Sequence, residues 1–155
     1  VALRRRATAI VGSLGLAGAL LMVAAPSASA AGYGCAGSEV ATYPVKYGST
    51  TYGTIHLYYN ASTGVNCAVN VATTAGGYGK DKWMQIDINR CTETSPSSTC
   101  HVVEGTVDYE GYYPFKYYAG PVTVYAPNNC INVSAEIKYL GNTATGTNYG
   151  ADHCG

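Results

Sequence analysis

The side chains with chemical potential in this sequence are six cysteines, three histidines, a short run of carboxylates and an unusual set of aromatics. The cysteines are Cys35, Cys67, Cys91, Cys100, Cys130 and Cys154. Metal sites favour C-x2-C pairs or mixed His/Cys clusters, and a thiol catalyst needs an unpaired cysteine. The sequence holds no such cluster, and its nearest pair is Cys91 and Cys100. An even count in a small exported domain reads instead as three disulfides. Cys91–Cys100 is the first pair to expect, because it closes a turn-like Thr/Ser/Pro stretch over 92–99. Closing about 10 residues contributes roughly 2.7 kcal/mol in the chain-entropy account. Six cysteines allow fifteen pairings, and spacing leaves the rest open.

No hydrolase signature accompanies them. There is no G-x-S-x-G elbow and no H-E-x-x-H helix, and His56, His101 and His153 are scattered. A serine triad can assemble from distant positions, but nothing in the chain signals one. The reading is therefore no catalytic residue, no metal and no cofactor. Glu104, Asp108 and Glu110 are the nearest thing to an acid pair. On one strand Glu104 and Asp108 would stand roughly 13 Å apart, and Asp108 and Glu110 about 7 Å. Glycoside hydrolysis needs two acids about 5–10 Å apart, so only the second pair fits. A solvated acidic edge is the simpler expectation.

Fifteen tyrosines stand against one Phe and one Trp. Phe suits a dry core, whereas the Tyr hydroxyl wants a partner or water. Tyr is also a good strand residue, and cross-strand pairs of it support a sheet with no ligand. One surface can be named from the alternation of two segments. If Ile55, Leu57 and Tyr59 face a core with Met84, Ile86 and Ile88, the opposite faces carry His56 and Tyr58, and Trp83, Gln85 and Asp87. An aromatic platform beside amide and carboxylate groups can hold a sugar ring, so these five residues form a candidate glycan-binding face.

Strands must position these groups. No window shows the 3.6-residue apolar period of a helix, while two-residue alternation recurs. It marks Thr54–Asn60, Val65–Ala72, Trp83–Asn89 and Ile131–Tyr139, with weaker segments at Glu39–Lys46, His101–Tyr109 and Pro121–Tyr125. In the second of these, Val65, Cys67, Val69 and Val71 share one face, and Asn66, Ala68, Asn70 and Ala72 the other. Ala61-Ser62-Thr63-Gly64 reads as a hairpin loop. The expected fold is all-β, a small disulfide-bonded antiparallel sandwich or barrel of about seven or eight strands.

The first thirty residues read differently. Arg4, Arg5 and Arg6 precede an uncharged run over 7–25, then Pro26 and Ala28-Ser29-Ala30. That is the pattern of a cleaved signal peptide, leaving residues 31–155 as one exported β domain. The full sequence has nine basic and nine acidic residues, but residues 31–155 keep only six Lys and Arg against all nine acids. A mildly acidic, charge-poor domain argues against nucleic acid, and against anionic membranes once the leader is removed.

Several stretches resemble a known family. Gly53-Thr54-Ile55-His56-Leu57-Tyr58-Tyr59-Asn60 with Thr63-Gly64-Val65-Asn66-Cys67 is similar to the spore-associated protein A family of filamentous, spore-forming bacteria. So are Tyr118-Ala119-Gly120-Pro121-Val122-Thr123-Val124-Tyr125-Ala126 and the final Cys154-Gly155. The resemblance spans about 33–155 and rests on turns, strands and cysteines, which define no active site. It implies a small secreted protein of spores or aerial hyphae, with spore or cell-envelope components as partners. Cys35, Cys67, Cys130 and Cys154 match the family pattern, while Cys91 and Cys100 look added. Of the three pairings then open to the first four, Cys35–Cys67 with Cys130–Cys154 is preferred.

The expectation is a secreted surface protein with a structural or interaction role and no catalysis. An envelope-glycan binding module working through Trp83 is the alternative. A third is a protease inhibitor or toxin presenting the bridged loop, since preorganisation lowers the cost of binding.

Overall fold

The computed structural model describes residues 32–111 and 113–155. The expected leader over 1–30 lies outside these residues. Among the described residues a 3-10 turn, Gly32–Gly34, precedes nine strands. They are β1 (Ser38–Tyr47), β2 (Thr50–Asn60), β3 (Val65–Ala72), β4 (Lys82–Arg90), β5 (Asp108–Glu110), β6 (Pro114–Phe115), β7 (Tyr118–Tyr125), β8 (Ile131–Tyr139) and β9 (Asn142–Thr147). All pairings are antiparallel, in the order β5-β4-β8-β9-β1-β2-β3-β7, with β6 adding to the start of β4. The two-residue β6 aside, this is a nearly closed eight-stranded barrel.

Two seams complete the ring by means other than a full ladder. Between β1 and β9 a single register pair, Lys46 opposite Thr145, is formed. Gly146 permits that approach, because a Cβ there would lie 2.7 Å from the Pro44 carbonyl oxygen and 3.0 Å from the Val45 Cα. Between β5 and β7 the link is made by side chains. Asp108 Oδ2 accepts the Thr123 N–H at 2.7 Å, and Glu110 Oε2 accepts the Gly120 N–H. The acid pair of the sequence reading is thus part of the frame. Glu104 falls in a turn outside the strands, so the three carboxylates do not share one strand face.

The barrel interior is filled by side chains, as expected for eight strands. Val45, Ile55, Leu57, Met84, Ile86, Ile88, Val122, Ile131, Val133 and Ile137 are all 2% exposed or less. Hydrophobic burial of this kind contributes about 25 cal/mol per Å², and it fixes which face of each strand points in. Strand β3 is the surprise. Register puts Ile55 opposite Asn70, Leu57 opposite Ala68 and Tyr59 opposite Asn66, so the alanine–asparagine face of β3 looks inward. Its Cys67, Val69 and Val71 look outward, where Cys35 and Tyr58 cover them. Asn70 is fully buried, and its Nδ2 donates to the Gln85 and Glu136 carbonyls across the interior.

Two segments depart from the expectation. Most of His101–Tyr109 is not strand: a bridge of Val102 to Cys91 is followed by a turn before β5. Alternation there was thin, and Gly105 takes a positive φ of 75° that a strand does not accommodate. Strand β9 went unread because its inward positions are Ala144 and Gly146, too small to register as an apolar period.

Candidate functional site

The outer wall of β4, β8 and β9 carries a regular array of polar side chains. Inward packing of Met84, Ile86 and Ile88 turns Trp83, Gln85 and Asp87 outward, since neighbours on a strand alternate. Ladder register then sets three rows: Trp83 opposite Lys138 opposite Thr143, Gln85 opposite Glu136 opposite Thr145, and Asp87 opposite Ser134 opposite Thr147. Strand spacing makes the array about 10 Å across, with rows about 7 Å apart. That is the scale of one or two sugar rings.

Its chemistry is graded along the strands. Trp83 is 52% exposed at one end and Tyr149 is 79% exposed at the other. Gln85 accepts from the Tyr109 hydroxyl at 3.3 Å, and Glu136 pairs with Lys138 at 2.8 Å. Asp87 is braced by Ser134 Oγ at 2.6 Å and by Asn89 Nδ2 at 3.5 Å. A small pocket of about 60 Å³ sits between Trp83, Gln85, Glu136 and Lys138. Beside it a groove of about 250 Å³ runs from Gln85 over Ser134, Glu136, Thr145 and Thr147 to Tyr149.

The other two residues of the expected glycan face are elsewhere. His56 and Tyr58 lie on the outer face of β2, which stands four places from β4 around the ring. The five residues therefore occupy opposite walls and do not form one surface. Tyr58 is also buried, beneath the 3-10 turn and against Cys35 and Cys67. Burial, then the neighbouring Glu39, pushes its hydroxyl above the ordinary tyrosine range. His56 Nδ1 contacts Glu39 Oε2 at 3.0 Å and its ring lies 5.8 Å from Tyr33. Sequence alternation gave which face each residue takes, but not which strands adjoin.

No protein-family model matches the chain, and no solved structure matches it. It is 31% identical over 147 residues to spore-associated protein A of Streptomyces coelicolor, covering 90% of this chain and 84% of that protein. The chain belongs to the spore-associated protein A family.

In this family member all six cysteines are paired, as Cys35–Cys67, Cys91–Cys100 and Cys130–Cys154. Glu93 lies close to Cys91 and Cys100, but the two sulfurs bond each other, so no thiolate is offered to a metal. The bridged loop lies flat along the end of the chain. Ser97 exchanges both backbone hydrogen bonds with Ala151, and Glu93 O accepts from Cys130 N. An inhibitor's reactive loop must offer its backbone as a strand to the protease, and here the Ser97 backbone is already engaged. The histidines of this spore-associated family member are dispersed. His101 Nδ1 contacts Glu93 at 2.5 Å, which holds the Glu93 carboxyl below its usual range. His153 Nε2 meets the Tyr43 hydroxyl at 2.7 Å. Burial, with the Asp152 carboxylate, pushes Tyr43 up to about 12.

What the sequence reading missed on the candidate wall is Ser134, Thr145, Thr147 and Tyr149. Ser134 was visible as an outward position of its strand. The others sit on or just after β9, the strand without an apolar period.

Proposed function

We propose that this protein of the spore-associated protein A family is secreted, acts without catalysis at the spore or aerial-hypha surface, and holds neutral envelope glycans on its β4–β8–β9 wall. Family membership and three disulfides support an extracellular or surface setting, where such bridges persist. The observation that carries the glycan reading is Trp83, half exposed above a pocket walled by Gln85, Glu136 and Lys138. Leaving a large aromatic in water forfeits the gain of its burial, and an exposed apolar ring rimmed by polar groups marks interaction surfaces. A pyranose offers a C–H face to such a ring and hydroxyls to the amide, carboxylate and threonine rows beside it. The roughly 14 Å separating the outer rows would engage successive units of a chain, an extent set by strand geometry.

Purified protein is to be tested for retention on insoluble cell-envelope glycan, with parallel detergent washes of intact spores. Retention is expected to saturate, and Trp83→Ala to weaken it by about tenfold while melting as the native protein does. Spore retention without glycan retention would return the protein to a purely structural coat role.

A further inference from the structure

Charge is divided between the two ends of the barrel. Antiparallel pairing around the ring sets the C-termini of β1, β3 and β8 beside the N-termini of β2, β4, β7 and β9. Every lysine of the sequence falls at that end, on these strand termini or in the loops between them: Lys46, Lys80, Lys82, Lys116 and Lys138. The opposite end carries Glu39, Glu93, Glu104, Asp108 and Asp152, with Arg90 as its basic residue. Packing of the core does not demand this division, because it involves surface positions.

Much of the charge is engaged within the fold. Lys82 is buried and its Nζ donates to the Lys80, Phe115 and Lys116 carbonyls, while Lys138 pairs with Glu136. At the other end Glu39 and Glu93 contact His56 and His101, Asp152 lies 3.8 Å from His153, and Asp108 accepts the Thr123 N–H. Two compact faces are left. On the lysine end Lys80 and Lys116 are exposed, on segments tied by the Gly79 N–H to the Lys116 carbonyl at 2.8 Å. Beside them Tyr78 and Tyr117 meet edge to face, ring centroids 5.0 Å apart, and both are about half exposed. Asp81 is exposed nearby, so this face keeps a positive balance. On the acidic end the turn over 102–107 presents Glu104 between Val102 and Val107, both valines about half exposed. Among the described residues Glu104 has no ion pair.

We propose that these two faces bind each other between copies of this chain, with Val102, Glu104 and Val107 of one copy seated on Tyr78, Lys80, Lys116 and Tyr117 of the next. The valines and the tyrosine rings would leave water together, and one carboxylate would meet two ammonium groups, so apolar and charged parts are both matched. The two faces differ and stand at opposite ends, which makes the contact heterologous. Each added copy leaves one face of each kind free, and growth runs on as a linear string. A contact confined to the ends falls in the small class of interfaces, roughly 1,200 Å² or less in total, so each link is weak. None of these residues belongs to the rows of the β4–β8–β9 wall, so the inference stands apart from the glycan reading.

Sedimentation of the purified protein at rising concentration tests this. At an ionic strength of about 0.01 M, where charges act over about 30 Å, the average mass is expected to climb past that of a dimer without levelling. At about 1 M, where the range is about 3 Å, it should return towards the monomer. Lys80→Glu with Lys116→Glu, and separately Glu104→Lys, should each abolish association while melting as the native protein does, since all three positions are exposed. An equimolar mixture of the two variants should associate again, because each supplies the face that the other lacks. Association that stops at a dimer, or that persists in either variant alone, would mean that like faces meet and would overturn the proposal. So would a protein that stays monomeric at low salt, including one that instead binds linear polyphosphate through Lys80 and Lys116.

Discussion

Asp108 Oδ2 stands 2.7 Å from the backbone nitrogen of Thr123 and accepts its N–H. With Glu110 on the Gly120 N–H, it joins β5 to β7 where no ladder runs. An open sheet has two edges, and exposed edges template association with other chains. Here two carboxylates occupy the donors that would otherwise be left open, and the sheet becomes a barrel.

Removing this staple should loosen the seam without touching the core. Asp108→Ala is expected to lower stability by about 1–2 kcal/mol, the range for a hydrogen bond to a charged acceptor at a partly exposed site. Asp108→Asn keeps an acceptor oxygen and should lose less. Thermal unfolding measures both, and an unchanged melting temperature for Asp108→Ala would show that the seam is held by other contacts.

The two inward asparagines of β3 should respond in opposite directions. Asn70→Ala removes two hydrogen bonds that tie β3 to β4 and β8 and leaves a void, costing about 2–3 kcal/mol. Asn66→Leu replaces an unpaired carboxamide by an apolar group of similar shape and should raise stability by about 1 kcal/mol. Chemical denaturation of the two variants side by side checks the contrast.

Alkaline pH should destabilise the fold through Tyr43. Its hydroxyl titrates at about 12 in the fold against an ordinary 10.0. A raised pKa on an acid means that the native state holds its proton longer than the unfolded chain does. The associated stability is complete below pH 10 and is lost as pH rises through 12. Tyr58, also raised by burial, acts in the same sense. Tyr43→Phe should flatten part of the fall in a denaturation series across pH 9 to 12.

The three bridges should differ in worth by the loops they close. The separations are 9 residues for Cys91–Cys100, 24 for Cys130–Cys154 and 32 for Cys35–Cys67. The chain-entropy account assigns them about 2.7, 3.5 and 3.7 kcal/mol. Paired Cys→Ser variants should therefore lose least at Cys91/Cys100. Losing most there would mean that the bridge also orders the segment around Glu93 and Ser97.

The amino-acid sequence by itself determined much of this protein. Alternation at Ile55, Leu57, Met84, Ile86 and Ile88 marked strands and their buried faces, because burying one side of a pleated strand demands a period of two. Six cysteines in an export-like context marked three bridges, and the family resemblance pointed to their pairing. Tertiary structure decided everything that depends on which strands adjoin. It turned the valine face of β3 outward, because β2 register and the Cys35–Cys67 bridge outweigh local hydropathy. It put His56 and Trp83 on opposite walls, since alternation fixes a side and not a neighbour. The carboxylates of the candidate acid pair form the staple of a seam, because their partners are backbone amides ten and fifteen positions away. Contacts of that range carry no local signature, and only closure of the barrel brings them within reach.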